Sequence, residues 1–270
     1  MFYERLGRGP RKVLLVHGYL GSAEIWQPVA QSIAESGRCE VIAMDLPGAG
    51  RSGKPHAAPY TLPWLASMLA LFAEKLGLRN VLLVGHSLGG GVCIHAVLKQ
   101  PSLASAMLLQ SPLVFRPPPP PGLRFAKRHP AIARVFFQTI GRLFIPMLVE
   151  KALYANGSRD PRPVAKSILS ALDSPGGWAA ATRMGLRAHD YSPSTEMLRR
   201  LELPVRVVWG TLDRSHDAEL AAQLRLALSN CPTDFVMLAG AGHNAHEEQP
   251  ELFTDLVVDW LNEWCPNPSE

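Results

Sequence analysis

The segment GHSLGGG, residues 85–91, places four glycines around a single serine. Glycine weakens both strands and helices. So much of it beside one hydroxyl marks a point where the backbone does what other side chains forbid. The apolar run Asn80-Val81-Leu82-Leu83-Val84 before it reads as a buried strand. Val92–Lys99 after it reads as a helix that stops at Pro101. Ser87 therefore sits where a strand turns abruptly into a helix. Side chains two residues before and two after would collide with neighbouring backbone, which Gly85 and Gly89 avoid. Gly90 and Gly91 let the new helix approach the sheet. Such a turn holds the serine in a strained conformation and pushes its hydroxyl out at the tip.

The same alternation runs along the chain. Lys12–His17, Glu40–Met44, Val81–Val84, Ala104–Gln110, Val205–Trp209 and Asp234–Leu238 read as strands. Ala23–Ser36, Leu62–Leu76, Leu88–Gln100, Ala218–Ser229 and Glu251–Trp264 read as helices. This pattern predicts an α/β fold: a mostly parallel, doubly wound sheet covered on both faces. Ligands of such sheets bind beyond the carboxyl ends of the strands. The alternation breaks after Ser111-Pro112. A stiff polyproline run, Pro117–Pro121, leads into helical pattern that includes Ala131–Leu143 and Pro163–Leu172, until Leu203-Pro204 opens the next strand. The expected organisation is a core from 1–112 and 201–270 with a helical insertion over 113–200.

With 270 residues, 47% of them hydrophobic and 19% charged, the chain suits one large globular domain with an insertion. No stretch reaches the 18 or more apolar residues of a membrane span. Met1–Arg5 lacks the apolar centre of a signal peptide, so a cytoplasmic location is expected. Cys39, Cys93, Cys231 and Cys265 are scattered, which points to free thiols and to neither a zinc site nor a disulfide framework. The net charge of +4 is uneven: between Leu113 and Arg200 there are 14 Lys/Arg against 5 Asp/Glu. That excess suggests either a solvated basic surface or an anionic partner. Nucleic acid is not expected, since no binding motif accompanies it.

Three strand ends carry polar residues of the right kind for acyl chemistry. The first strand runs into HGYLGSAEIW, residues 17–26, whose backbone N–H groups could face a developing oxyanion. Val205–Trp209 runs into GTLD, so Asp213 lies just past a strand and could orient an imidazole; Asp217 is a rival that suits a helix cap. Asp234–Leu238 runs into AGAGHNAHEEQP, a loop able to place His243 over the sheet, with His246 as rival. The acid has a second possible position near Gln110-Ser111, but residues 101–149 contain no Asp or Glu. The order Ser87, Asp213, His243 then supplies nucleophile, orienting acid and base. No metal or cofactor is needed.

In these motifs, and in DLPGAGRS (residues 45–52), the chain resembles the α/β-hydrolase superfamily, and within it the capped serine hydrolases. The resemblance implies that the backbone N–H groups of Tyr19 and Leu88 form an oxyanion hole. It also implies that Asp45 is a scaffold residue and that the insertion is a cap selecting substrate. Trp178, Arg183 and Met184 are the candidate substrate-binding residues of that cap. A serine at the turn resembles esterases, lipases, thioesterases and C–C hydrolases; Leu20-Gly21-Ser22 and Asn244 depart from the C–C hydrolase pattern. The leading expectation is a carboxylesterase acting on a small or medium ester. Alternatives are a thioesterase or esterase on a carrier-protein- or CoA-linked acyl group docked at Arg124, Lys127 and Arg128, a lactonase or C–C hydrolase, and a non-enzymatic small-molecule receptor.

Overall fold

A computed structural model describes residues 1–115, 122–155 and 157–265; the polyproline run Pro117–Pro121 lies outside the described residues. Seven strands form one sheet: β1 (Tyr3–Leu6), β2 (Lys12–Val16), β3 (Glu40–Met44), β4 (Val81–His86), β5 (Ala104–Gln110), β6 (Val205–Gly210) and β7 (Thr233–Leu238). Their order is β1-β3-β2-β4-β5-β6-β7. β1 pairs antiparallel with β3, and every other pairing is parallel. The sequence reading did not anticipate β1, whose four residues are too few to show alternation. It is held from outside by Tyr3 against Phe72, ring centroids 5.3 Å apart, and by Arg5 paired with Glu40.

The parallel strands are apolar at nearly every position because helices cover both faces. Leu14, Val16 and Leu83 point into one core with the helices Leu62–Lys75 and Leu88–Lys99. Val13, Leu15, Leu82 and Val84 point into the other, against Gln27–Ser36 and Pro250–Trp264. All seven are fully buried, each worth about 2 kcal/mol by area removed from water. The chain winds from β2 to β3 on one side and continues through β4 on the other, so the carboxyl ends of β2 and β4 flank a switch point. There Val16 is in register with Gly85, which brings the loop after β2 beside Ser87.

Between β5 and β6 the described chain is helical: Leu123–Arg128, Pro130–Leu153, Arg162–Asp173, Gly177–Arg187 and Thr195–Leu198. Ile145, Val149, Ala165, Ile168, Leu172 and Trp178 give these helices a small apolar centre of their own. The helix expected over Ala131–Leu143 is in fact 24 residues long, Pro130–Leu153. Gly141 falls in a stretch of wider turns, Phe137–Gly141, Pro146 lies inside the α-helical stretch Arg142–Leu148, and wider turns over Val149–Leu153 complete the helix. By length and composition this helix is apolar enough to cross a membrane, which corrects the expectation of no such segment. Arg134, Gln138, Thr139 and Arg142 divide its apolar residues into shorter runs.

Candidate active site

Ser87 follows β4 at φ 51° and ψ −119°, a region that non-glycine residues rarely occupy. Its neighbours make that conformation possible. A Cβ on Gly85 would lie 2.8 Å from Gly90 Cα, and one on Gly89 would lie 2.4 Å from the Val16 carbonyl oxygen. The carbonyl of Ser87 accepts from the Gly90, Gly91 and Leu113 N–H groups, which pins the turn from three sides.

Asp213 leaves the end of β6, and its side chain is 1% exposed. Its Oδ2 lies 2.8 Å from His243 Nδ1, while its Oδ1 accepts from the Ser215 and His216 N–H groups at 2.8 and 3.0 Å. Burial alone would raise its proton affinity. The bonds from His243 and from the His216 N–H outweigh burial and hold the carboxyl below its ordinary range. The rival Asp217 instead caps the helix Ala218–Ala227 through the Glu219 N–H.

The loop after β7 is held from beneath and from above. Gln110 Nε2 and the His86 ring donate toward the His243 carbonyl, at 2.9 and 3.1 Å. Gln110 Oε1 contacts His246 Nδ1 at 2.8 Å, so the rival His246 lies under the loop, its ring 4.5 Å from that of Trp26. From above, Glu247 takes the hydroxyl of Tyr154 and the amide of Asn244, and Glu248 takes the Ala155 and Gly242 N–H groups. These carboxylates of the HEE motif tie the loop to the insertion. Asp45 accepts from the Ala23 and Arg51 N–H groups at 2.6 Å, as a scaffold residue does.

Ser87, His243, Tyr19 and Leu88 line one cavity of about 280 Å³. Among the described residues, no protein acceptor takes the N–H of Tyr19 or of Leu88. The Leu88 N–H opens the helix Leu88–Lys99, where unpaired amides favour an anion. Tyr19 also donates its hydroxyl to the Ala181 carbonyl, 2.9 Å away. The insertion contributes Leu148, Ala152, Leu153, Val164, Gly185 and Ala188 to the walls. Trp178, Arg183 and Met184 do not line this cavity, which corrects the expectation for them. Trp178 packs inside the insertion, edge-on to Phe137, with its Nε1 on Asp173 at 3.0 Å. Met184 joins the main core, and Arg183 lies near Tyr60.

Three further histidines crowd His243, and no local motif in the sequence announced them as a group. Burial, then the neighbouring His243, pushes His216 down to about 4 and His246 down to about 3. Burial and the same neighbours hold His86 well below the ordinary histidine range. An unfolded chain takes up these protons near pH 6.5, whereas the folded chain resists them until far lower pH. Their stabilising contribution is thus complete above about pH 6.5 and is lost as pH falls toward 4, at about 1.4 kcal/mol per pH unit for each group. Urea midpoints are expected to fall steadily over that range. Near pH 5, unfolding is expected to take up about one proton fewer in His246→Gln than in the wild type. A midpoint unchanged down to pH 5 would contradict this account.

The comparisons agree with this geometry. The family model for the alpha/beta hydrolase fold matches residues 12–250. An uncharacterized hydrolase of Bacillus subtilis, YugF, is 28% identical over 266 residues, covering 97% of this chain and 94% of that protein. The pimeloyl-[acyl-carrier protein] methyl ester esterase of Aeromonas salmonicida is 30% identical over 262 residues, covering 94% of this chain and 96% of that one. A thermophilic esterase from Thermogutta terrifontis superimposes with a TM-score of 0.81 at 26% identity, covering 98% of this chain and 94% of that one. With its parallel sheet, its strained serine turn and a family match over nearly the whole core, the chain belongs to the α/β-hydrolase fold family.

Proposed function

We propose that this hydrolase is a serine carboxylesterase that works through an acyl-enzyme. The observation that carries the reading is the buried Asp213–His243 pair on the same cavity as Ser87 in its strained turn. In the proposed mechanism Ser87 Oγ attacks the ester carbonyl while His243 Nε2 takes its proton. Asp213 holds the proton on Nδ1 and stabilises the imidazolium. The N–H groups of Tyr19 and Leu88 receive the oxyanion. His243 returns the proton to the departing alcohol, and water then releases the acid by the same steps in reverse. A cavity of about 280 Å³ sits at the small end of ligand sites, which supports a small or medium ester. In this reading residues 113–200 are a cap, since their helices wall the cavity opposite the serine.

A second reading, an acyl group on an acidic carrier, draws support from the Aeromonas relative and from the basic insertion. It is weakened at Lys127, whose ammonium already contacts both oxygens of Asp190. The test is a series of p-nitrophenyl esters from acetyl to dodecanoyl, combined with labelling by a fluorophosphonate. Turnover with a chain-length optimum, and a covalent adduct on the peptide bearing Ser87, are expected. A folded protein that turns over no ester and takes no label at Ser87 would overturn the reading in favour of a receptor.

A further inference from the structure

The long helix Pro130–Leu153 touches the rest of the protein along a narrow stripe. Ala133, Phe137, Gly141, Ile145 and Val149 recur every four residues and are the buried or half-buried positions between Ala131 and Glu150. In an ordinary surface helix the remaining positions are polar. Here they include Ile132, Val135, Phe136, Ile140, Leu143 and Phe144, between 38% and 74% exposed. Of the 16 large apolar side chains exposed among the described residues, nine lie between Phe125 and Leu148. Scattered exposed apolar residues are normal, but such a concentration marks a surface made for contact.

Charge says what the contact is. Residues 122–155 hold six Lys/Arg and one acid, Glu150. Arg124, Arg128 and Arg134 stand exposed at one end of the apolar face and Lys151 at the other. Arg142, midway, pairs with Asp173. Cations at the borders of an apolar helix face match an interface of acyl chains beneath anionic headgroups. An acidic carrier protein would meet the arginines but would leave the leucines and phenylalanines between them uncovered.

The inner side of the same helix leads to the site. Leu148, Ala152 and Leu153 line the cavity at Ser87. A second cavity, about 480 Å³ and mostly apolar, opens among Phe125, Ile132, Phe136, Phe137 and Leu186. Tyr19 and Gly185 border both cavities, so only that wall separates the apolar surface from the serine. A bilayer-spanning role does not fit: Ile145 and Val149 are buried against the insertion, and Arg134 and Arg142 interrupt the helix.

We propose that the apolar, cation-bordered face of Pro130–Leu153 docks flat on an anionic lipid surface, and that the ester reaching Ser87 is drawn from that surface. The second clause rests on the esterase reading above; the first does not.

The test is co-sedimentation of the full chain with vesicles of phosphatidylcholine alone and with added phosphatidylglycerol. Binding to the anionic vesicles is expected, weakening at about 1 M salt, where screening acts within about 3 Å. Arg124→Gln with Arg128→Gln is expected to weaken it about thirtyfold, about fivefold for each cation. Phe136→Ser with Leu143→Ser is expected to abolish binding. Both substitutions of that variant are at exposed positions, and a urea midpoint equal to that of the wild type shows that it is folded. Ser87→Ala is expected to bind vesicles fully and to leave a vesicle-embedded ester intact. Wild type that stays in the supernatant overturns the docking. So does a Phe136→Ser/Leu143→Ser variant that binds as well as wild type. A dimer in solution that this variant dissociates, with no vesicle binding, assigns the face to a second copy. Binding to an acidic acyl carrier protein but not to vesicles assigns it to that partner; either result overturns the proposal. Vesicle binding without turnover of any ester leaves the docking standing and removes the esterase reading.

Discussion

Ser87→Ala is expected to lower kcat on the best p-nitrophenyl ester by about 10⁶-fold, with KM near the wild-type value. The size follows from what is removed. His243 and the two N–H groups remain, but no attacking atom lies at the tip of the turn, so what survives is attack by water on a bound, polarised ester. Ser87→Gly is expected to be as inactive, yet more stable than Ser87→Ala. The backbone at φ 51° and ψ −119° costs an alanine or serine about 1–3 kcal/mol, whereas glycine accepts it and loses about 0.5–1 kcal/mol of chain entropy. The net gain, about 1 kcal/mol, is read from urea midpoints. A Ser87→Ala enzyme within tenfold of wild type would show that hydrolysis does not pass through this residue. A Ser87→Gly midpoint below that of Ser87→Ala, by the full entropy cost of glycine, would show that the turn stores no strain.

Ser87, Asp213 and His243 were legible in the sequence because each follows the carboxyl end of a strand, and each carries its own local signature. Glycines frame Ser87 and His243, and a strand-turn pattern presents Asp213. The rivals Asp217 and His246 stand in the same chain order, so in the sequence only the fit of Asp217 to a helix cap spoke against one of them. The structure places both rivals elsewhere: Asp217 caps a helix end, and His246 contacts Gln110 under the loop. Gln110 itself was noticed only as a position where an acid was missing. Its part as a strut beneath His243 depends on contacts with residues more than 130 positions away, which no local pattern encodes.

The walls of the cavity were not legible, for a related reason. Which side of the helix Gly177–Arg187 faces Ser87 is decided by how Tyr19 packs on it. A Cβ on Gly185 would come within 2.7 Å of the Tyr19 hydroxyl oxygen, so the absence of a side chain at 185 is what lets Tyr19 pack this closely on the helix. The long helix runs beyond Leu143, through Pro146 in its α-helical stretch and on through wider turns over Val149–Leu153, a continuation that leaves no mark in the local pattern.

Asp213→Asn is expected to lower kcat by about 10⁴-fold while leaving the fold intact. The geometry leads to this through hydrogen-bond direction rather than lost charge alone. In the native site one carboxylate oxygen accepts from the Ser215 and His216 amides, at 2.8 and 3.0 Å, and the other faces His243 Nδ1. Asparagine has one acceptor and one donor end. The two fixed amides claim its carbonyl oxygen, so its NH₂ group must face Nδ1. An imidazole met by a donor at Nδ1 carries its proton on Nε2, where it has no lone pair for the Ser87 proton. Asp217→Asn, by contrast, keeps a cap acceptor at an exposed helix end and is expected to leave kcat unchanged. A comparable loss in both variants would mean that the effect is structural. A loss in Asp213→Asn alone, with an unchanged urea midpoint, assigns it to the tautomer of His243.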